Sequence, residues 1–249
     1  MSTQPVVLIT GALTGIGRAT ALAYGRDNAR VVVSGRRDEA GRALADDIRA
    51  LGAQAEYIRA DVSKEDDVRV LVERTIERFG RLDIAVNAAG AEGEPGPVTG
   101  QTPERYMAVF DANVLGTLLA MKHELRAMTA QGNGSIVNIS STMGSRGAPN
   151  VSLYVASKHA VEGLTKSAAL EAAPFGVRVN AVAPGPVQTA MLDRFTLNPE
   201  RKAAMLAGVP LKRAGNPEEI ADAIRFVGSA AASFMTGEIL RVNGGRTAA

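Results

Sequence analysis

The stretch that most constrains the fold is a glycine-rich turn near the start of the chain. Residues 6–10 (VVLIT) form a short apolar run rich in β-branched residues, and they lead directly into the turn from Gly11 to Gly17 (GALTGIG). A helical pattern of apolar residues follows at Ala19, Leu22 and Ala23. Backbone amides at such a helix start attract a pyrophosphate, and glycine lets the chain approach a ligand closely. The stretch therefore predicts a strand, a nucleotide-binding turn and a helix, with a purely structural turn as the alternative.

Short apolar runs then alternate with amphipathic segments through the rest of the chain. Further strands are predicted near residues 30–34, 54–60, 82–86, 135–140, 177–182 and 237–242, and further helices near 38–51, 64–79, 103–130, 151–173 and from 216 onward. This alternation predicts an α/β chain, with one domain over residues 1–249. The expected architecture is a single-domain Rossmann fold, a doubly wound parallel sheet of about seven strands with helices on both faces.

Composition argues against several classes of function. Lys and Arg total 28 against 26 Asp and Glu, so the net charge of +2 gives no field that would recruit nucleic acid or an anionic membrane. The chain has no cysteine, which excludes disulfides and thiolate zinc sites. Neither His123 nor His159 has a metal-ligand partner at a recognisable spacing, so no metal is expected. Because a strand begins almost at once, we expect no signal peptide, no membrane span and a cytoplasmic protein.

The chemistry is predicted to lie between Ser141 and Lys158. Tyr154 and Lys158 are four residues apart in a helical pattern and so share one face. A lysine ammonium beside a phenol favours the phenolate, which can bring a pKa of about 10 toward neutrality for acid/base work. Ser141 follows the apolar run 135–140 and would stand at the carboxyl edge of the sheet, where ligands collect. Taken alone, a tyrosine and a lysine one turn apart also fit any amphipathic helix.

The end of the second predicted strand bears on which dinucleotide would bind. Gly35, Arg36 and Arg37 lie about twenty residues beyond the glycine turn, where a dinucleotide fold places the residue that contacts the adenosine ribose. An acidic residue there suits NAD, whereas arginines suit the 2′-phosphate of NADP. The sequence therefore favours NADP(H), with NAD(H) also possible. The alternative is that both arginines merely open a helix in solvent.

These elements together resemble the classical short-chain dehydrogenase/reductase family, and the resemblance runs from Val6 to Gly245. In that family the tyrosine is the general acid/base, the lysine lowers its pKa and holds the nicotinamide ribose, and the serine positions the substrate carbonyl. The resemblance implies these roles for Tyr154, Lys158 and Ser141.

Asn113 lies inside the long predicted helix 103–130. Asparagine is a poor helix former that tends to bond the backbone, so it indicates either a kink or a polar role. In the family resembled, an asparagine at this point offers its main-chain carbonyl to a water that connects to the lysine and completes a proton path. A merely structural asparagine is the alternative.

The resemblance also implies a set of cofactor contacts. The glycine turn has the form T-G-x-x-x-G-I-G, an Asp-Val pair would border the adenine, N-A-A-G stands where the family has N-N-A-G, and P-G-x-x-x-T follows the sixth strand. The implied cofactor-binding residues are Gly11, Thr14, Gly15, Ile16, Gly17, Arg36, Arg37, Asp61, Val62, Asn87, Ala88, Ala89, Gly90, Tyr154, Lys158, Pro184, Gly185, Val187 and Thr189.

The resulting prediction is reversible hydride transfer between NADP(H) and a small ketone or secondary alcohol. A 3-oxoacyl-[acyl-carrier-protein] reductase is the first alternative, but the stretches that would dock an acidic carrier, 128–134 (MTAQGNG) and 171–176 (EAAPFG), contain no Lys or Arg. A non-catalytic nucleotide-binding regulator is less favoured, because all four reactive side chains are present.

Two further expectations follow. Substrate choice should lie in loops 91–101, 143–152 and 186–215, with residues 191–213 as a mobile lid. A homotetramer is expected, because relatives pair the helices near 103–130 and 151–173 with those of a second subunit. The apolar positions suited to such packing are Ala112, Leu115, Leu119, Ala160, Leu164 and Ala168.

Overall fold

Strands and helices alternate along the chain, in close agreement with the predicted boundaries. The computed structural model describes residues 4–196 and 198–248. The strands are β1 (Val6–Thr10), β2 (Arg30–Gly35), β3 (Gln54–Arg59), β4 (Ile84–Asn87), β5 (Gly134–Ile139), β6 (Val177–Pro184) and β7 (Ile239–Val242). The α-helices are α1 (Gly15–Arg26), α2 (Asp38–Ala50), α3 (Glu65–Phe79), α4 (Pro103–Phe110), α5 (Gly116–Gln131), α6 (Ser152–Ala172), α7 (Ala190–Thr196), α8 (Pro199–Ala207) and α9 (Pro217–Gly228).

The strands form one parallel seven-stranded sheet in the order β3-β2-β1-β4-β5-β6-β7. Val7 of β1 pairs with Val31 of β2 on one side and with Ile84 of β4 on the other. The chain thus runs outward from β1 to β3 and then crosses back to β4. The strand order reverses between β1 and β4, and ligands bind at the carboxyl ends of strands beside such a reversal. The predicted doubly wound Rossmann fold is confirmed.

Both faces of the sheet are buried under helices. In β1, Val7 and Ile9 belong to the apolar core that includes side chains of α1, α2 and α9, whereas Val6 and Leu8 belong to the core that includes α3, α5 and α6. Successive side chains of a strand point to opposite faces, so a strand covered on both sides is apolar throughout. This explains why VVLIT has no polar alternation.

The helix predicted over 103–130 is continuous but contains a π-helical turn at Asp111–Leu115, between α4 and α5. There the Gly116 amide donates to the carbonyl of Asp111, five residues back. The turn surrounds Asn113, the residue for which a kink or a polar role was predicted. π-turns inside α-helices are rare and occur often at functional sites.

The segment between β6 and α9 contains two short helices, α7 and α8, which we call the lid. Asn198 caps the N-terminus of α8, since its side chain accepts a hydrogen bond from the Arg201 amide at 2.9 Å, and Pro199 occupies the first helical position. No residue of α8 is fully buried. This helix is therefore held at the surface by polar contacts.

Candidate active site

A cavity of about 1110 Å³ follows the carboxyl edge of the sheet and extends to the lid. The predicted residues that line it are Gly11, Thr14, Gly15, Ile16, Gly17, Arg36, Arg37, Asp61, Val62, Ala88, Ala89, Gly90, Ser141, Tyr154, Lys158, Pro184, Gly185, Val187 and Thr189. Asn87 and Asn113 are the exceptions among the predicted residues, since both are buried and neither lines the cavity. Asn87 directly precedes Ala88, and Asn113 hydrogen-bonds to Ala91; both alanines line the cavity.

Tyr154 and Ser141 meet at this cavity from two different elements. Ser141 directly follows β5, and Tyr154 lies in the first turn of α6. Burial raises the pKa of Tyr154 to about 12, and the Glu92 carboxylate adds to this effect, while a hydrogen bond with Ser141 opposes it. The Ser141 hydroxyl also accepts a hydrogen bond from the Met143 amide at 3.2 Å. At neutral pH the phenol in this arrangement is protonated.

Lys158 lies one helical turn beyond Tyr154 and is buried. Its ammonium donates to the carbonyl of Ile139 at 2.8 Å and lies 5.6 Å from the centre of the Tyr154 ring. Burial lowers the pKa of Lys158 to about 8. The sequence-based expectation was that Lys158 would pull the tyrosine pKa toward neutrality. In the structure the burial of Tyr154 outweighs any such effect, and Lys158 hydrogen-bonds a strand carbonyl.

The Asn113 side chain ties the loop after β4 to α6. Its Oδ1 accepts from the Ala91 amide at 2.7 Å, and its Nδ2 donates to the Ala91 carbonyl and to Ser157 Oγ, both at 2.9 Å. Ser157 in turn donates to the carbonyl of Tyr154 at 2.8 Å. Sequence analysis did not single out Ser157, which sits inside the Tyr154–Lys158 spacing. The Asn113 carbonyl accepts from Thr117 Oγ1 at 2.8 Å.

The glycine turn shows why small residues are required there. Gly11 and Gly15 have φ of +64° and +52°, which favour glycine. A Cβ on Gly17 would stand 2.3 Å from the Gly11 carbonyl oxygen, and one on Gly15 would stand 3.1 Å from the Thr189 side chain. The turn is thus packed on itself and faces the P-G-x-x-x-T segment across the cavity. Such a side-chain-free surface at the start of α1 fits a dinucleotide pyrophosphate.

The end of β2 provides the basic part of the cavity. The Arg36 side chain is 75% exposed and has Asp61 Oδ2 at 3.9 Å from its Nη1. A Cβ on Gly35 would lie 2.7 Å from Leu13 Cδ1, so the Leu13 side chain occupies the space next to this glycine. That contact was not foreseen, because nothing in the sequence indicates which turn residue leans on β2. An exposed arginine of this kind fits an anionic group such as a 2′-phosphate.

Asn87 belongs to a polar group inside the sheet. Its Nδ2 donates to Glu124 Oε2 at 3.0 Å and to Asn138 Oδ1 at 3.1 Å. Burial raises the pKa of the Glu124 carboxyl to about 7, although the bond from Asn87 opposes this. Sequence analysis missed Glu124; the only signal was a carboxylate within the apolar stripe of a long helix.

An ion pair joins the lid to the loop after β4. Arg194 Nε of α7 lies 2.5 Å from Glu92 Oε1, and the Glu92 side chain is 15% exposed. The neighbouring Phe195 ring packs edge-on against Tyr154, with 6.1 Å between ring centres. Neither Glu92 nor Arg194 had been predicted, since a contact across this sequence separation has no local signature.

Within residues 4–196 and 198–248, no group of three or more His, Cys, Asp or Glu residues is placed to hold a metal ion. Among the same residues, no helix is long and apolar enough to cross a membrane.

The fold and the cavity define a Rossmann-type α/β protein. The chain matches a family model described as enoyl-(acyl carrier protein) reductase over residues 11–247. The A-factor type gamma-butyrolactone 1′-reductase (1S-forming) of Streptomyces virginiae is 43% identical, over 98% of this chain and 96% of that protein. The cis-4-hydroxycyclohexanecarboxylate dehydrogenase of Sinomonas cyclohexanicum is 42% identical, over 98% and 97% of the two chains. The cyclohexanol dehydrogenase of Acinetobacter sp. strain SE19 is 40% identical, over 97% and 94%.

Solved structures agree with these sequence matches. The crystal structure of levodione reductase has a TM-score of 0.96 and 36% identity, covering 98% of each chain. A short-chain type dehydrogenase/reductase from Mycobacterium marinum has a TM-score of 0.92 and 36% identity, over 98% of this chain and 96% of that one. ElxO with NADP bound has a TM-score of 0.91 and 32% identity, over 99% and 100%. The chain belongs to the short-chain dehydrogenase/reductase family, and it is an oxidoreductase of that family.

Proposed function

We propose that this enzyme catalyses reversible hydride transfer between NADP(H) and a small ketone or secondary alcohol, with Tyr154 as the general acid/base. The observation that carries the proposal is that Tyr154, Ser141 and Lys158 share one cavity with the glycine turn and Arg36. Arg36 follows β2 and Ser141 follows β5, so three strand spacings, or about 14 Å, separate the two strand ends from which these residues extend. A dinucleotide and a small carbonyl compound fit end to end over such a distance.

In the reductive direction, the Tyr154 hydroxyl gives its proton to the carbonyl oxygen while the Ser141 hydroxyl hydrogen-bonds that same oxygen. A bound nicotinamide supplies the hydride to the carbonyl carbon. In this proposal Lys158 holds the nicotinamide ribose and supports the phenolate left on Tyr154. Asn113 positions these groups, because its side chain links the loop at Ala91 to Ser157 and so to the turn that carries Tyr154.

The acidity of Tyr154 sets the expected pH behaviour. With a pKa raised to about 12 by burial, the phenol is ready to act as an acid at neutral pH. Alcohol oxidation instead needs the phenolate, so its rate should rise with pH. The pKa of Lys158, lowered to about 8 by burial, still leaves its ammonium mostly protonated at neutral pH. The charge needed to stabilise the phenolate is therefore present.

NADP(H) is the proposed cofactor because the end of β2 carries arginines and no carboxylate. Arg36 is exposed and can accept a 2′-phosphate, but Asp61 at 3.9 Å partly neutralises it. A surface arginine–phosphate pair is also weakened by salt. We therefore propose preference for NADP(H) together with measurable use of NAD(H).

The substrate class follows from the cavity wall and the relatives. Met143, Met191, Phe195 and Met205 line the cavity near the lid, and such a surface suits a compact apolar body. Two of the relatives are named for cyclohexane alcohols and one solved neighbour is levodione reductase. We propose small cyclic ketones and the corresponding secondary alcohols as substrates.

The decisive experiment measures loss of the reduced nicotinamide absorbance with a panel of cyclic, aryl and aliphatic ketones, using NADPH and NADH in turn. Turnover of cyclic ketones is expected. Cofactor binding without turnover of any ketone or alcohol would instead favour a non-catalytic regulator.

Carrier-protein substrates are the alternative within the enzyme class, and the description of the matching family model mentions a carrier protein. The two expected docking stretches present an exposed apolar side chain, Phe175, and no cation. We therefore propose free ketones over carrier-bound ones. Acetoacetyl-carrier protein should be a poor substrate beside a cyclic ketone, and efficient turnover of only the carrier-bound compound would reverse this choice.

We also propose a homotetramer in the cytoplasm. Exposed apolar side chains lie on the helices expected to pair, with Leu115, Leu118 and Leu170 exposed by 37%, 44% and 78%. Two of the positions named from the sequence, Leu119 and Ala168, are buried in the subunit's own core and cannot take part, because the helix face they occupy packs inward. Light scattering at micromolar concentration should give four times the chain mass, and a monomer would contradict the proposal.

A further inference from the structure

We propose that Arg246, assisted by Arg146, forms an anion-binding subsite at the substrate end of the cavity. The preferred substrates would then be cyclic ketones or alcohols that carry a carboxylate. This inference rests on the proposed function and narrows it, since it adds a charge to the substrate class.

Arg246 lies a few residues beyond β7, is half-buried and lines the same cavity as Tyr154. Its Nη1 donates to the carbonyl of Met205 in the last turn of α8, at 2.9 Å. A guanidinium has five N–H groups. Within residues 4–196 and 198–248, neither Nε nor Nη2 of Arg246 donates to an acceptor. Most of its hydrogen-bonding capacity thus remains for a ligand.

A second guanidinium stands beside the first. Arg146 is exposed, and its Nη1 donates to the main-chain carbonyl of Arg246 at 2.8 Å. Burial lowers the pKa of Arg246, and the nearby charge of Arg146 lowers it further. In the part of the chain that the structure describes, neither arginine forms an ion pair with a carboxylate. Two adjacent positive charges with no counter-charge among the described residues favour binding of an anion.

Three other cations around the lid are paired with carboxylates. Arg194 pairs with Glu92, Lys202 with Asp193 at 2.7 Å, and Arg213 with Glu219 at 2.7 Å. At the lid end of the cavity, Arg246 therefore differs from these three cations in facing no carboxylate among the described residues.

The position of Arg246 separates its anion from the phosphates of a nucleotide. Arg36 follows β2 and Arg246 follows β7, which are five strand spacings apart in the sheet, or about 24 Å. The glycine turn follows β1, on the same side as Arg36. Arg246 also contacts Met205 of the lid, so we assign its anion to the substrate, and a planar carboxylate matches the fork of guanidinium donors.

The test compares 4-oxocyclohexanecarboxylate with its methyl ester, which keeps the ring and the ketone but lacks the charge. The measured quantity is the ratio of kcat/KM for acid over ester. This ratio should exceed ten in the wild type. In Arg246→Met it should fall by about 10- to 100-fold, since loss of a hydrogen bond to a charged group weakens binding by about that factor. Arg246→Lys should recover part of the ratio, and Arg146→Gln should lower it only several-fold.

Loss of the Met205 contact could loosen α8 and slow every substrate, but that effect would lower acid and ester alike and leave the ratio unchanged. Arg201→Gln serves as the matched control, because Arg201 is exposed on α8 and does not line the cavity. Its ratio should stay within twofold of the wild type. An unchanged ratio in Arg246→Met, or a wild type that uses the ester as well as the acid, would overturn the subsite.

A binding measurement keeps this inference separate from the proposed function. Calorimetry with cyclohexanecarboxylate and the neutral cyclohexanecarboxamide, in the presence of NADP⁺, needs no turnover. Preferential binding of the carboxylate that is lost in Arg246→Met supports the subsite even if no ketone is reduced. Equal binding of the two compounds refutes the subsite even if neutral ketones are good substrates.

Discussion

The floor of the cavity and its lid are built by different kinds of interaction. The floor comprises the glycine turn, the strand ends and the segment with Ser141, Tyr154 and Lys158. Its Asn113 and Lys158 side chains are buried and bonded to Ser157 and to backbone carbonyls. The lid is joined to the loop after β4 by the Arg194–Glu92 pair, and its two helices, α7 and α8, are joined to each other by the Lys202–Asp193 pair. The floor is therefore suited to a fixed chemical task, and the lid to choosing and admitting a substrate.

Contacts in the lid and in the floor also differ in how much they contribute to stability. An exposed ion pair contributes about 0–1 kcal/mol, whereas leaving a buried polar group unpaired costs about 1–3 kcal/mol. Removing one lid contact should therefore alter local opening, and removing one floor contact should damage the whole site. The largest effects of single substitutions are therefore expected in the floor.

Tyr154→Phe should reduce kcat by about 100- to 10,000-fold, because it removes the proton donor and little else. Binding of NADP⁺, followed by calorimetry, should remain close to that of the wild type. A variant that keeps a tenth or more of wild-type turnover would rule out the acid/base role.

Lys158→Ala should differ from Tyr154→Phe in its effect on cofactor binding. Lys158 contacts the floor through the Ile139 carbonyl and is proposed to hold the cofactor ribose, so both kcat and cofactor affinity should fall. Equal affinity in the two variants would show that Lys158 does not contact the cofactor.

Gly17→Ala should be the next largest change. Its new Cβ would stand 2.3 Å from the Gly11 carbonyl oxygen, a backbone atom that cannot move aside cheaply. Overpacking of this kind costs about 1–3 kcal/mol or more, and NADP⁺ affinity should fall with the distorted turn. The urea midpoint at fixed protein concentration reports the first effect.

Gly147→Ala is the control for this change. Gly147 is exposed and a Cβ there meets no atom within 4 Å. Its midpoint should stay the same or rise slightly, because alanine reduces the freedom of the unfolded chain. A Gly17→Ala protein as stable as Gly147→Ala would show that the turn is looser than described.

The floor could be predicted from the sequence because its constraints are local. A glycine turn between a β-branched run and an apolar helix, and a tyrosine and lysine one turn apart, each have a short signature. Strand ends in a parallel sheet meet at one edge, so Ser141 could be placed near Tyr154 without coordinates. Asn113 was singled out because asparagine is a poor helix former inside a predicted helix, although its partners Ala91 and Ser157 were not foreseen.

The lid and the buried polar group could not be predicted in this way. Glu92 meets Arg194, and Asn87 meets Glu124, across sequence separations that leave no periodic trace. The spacing alone led to the expectation that Lys158 lowers the pKa of Tyr154. In the folded chain, burial of the phenol has the larger effect and raises that pKa. Spacing identifies which groups can meet, but burial determines their charge.

Arg36→Ala should have a moderate effect confined to cofactor choice. It should lower the ratio of kcat/KM for NADPH over NADH by about tenfold at low ionic strength, and by less in physiological salt, because Arg36 is exposed and shares its charge with Asp61. An unchanged ratio would show that Arg36 does not contact the 2′-phosphate.

Gly35→Asp tests the same end of the cavity from the opposite side. The new carboxylate should repel the phosphate and favour NADH, but its Cβ would lie 2.7 Å from Leu13 Cδ1 and must displace that side chain. The double change Gly35→Asp with Leu13→Ala removes the obstruction. If the ratio of kcat/KM for NADPH over NADH falls in the double variant but not in the single one, the Leu13 side chain is what keeps the new carboxylate from acting on the cofactor.

The smallest predicted effect joins the lid to the floor. The Glu92 carboxylate raises the pKa of Tyr154, because a nearby negative charge disfavours the phenolate. Glu92→Gln should therefore lower that pKa and move the rising limb of the pH profile for alcohol oxidation to lower pH, by about 0.3–1 unit for a partly screened charge. Arg194→Gln should move it the other way, since Glu92 then loses its neutralising partner at 2.5 Å. Opposite shifts from the two halves of one ion pair cannot come from a loosened lid alone, because either change breaks the same contact. Shifts of the same sign would mean that Glu92 acts only by holding α7 in place.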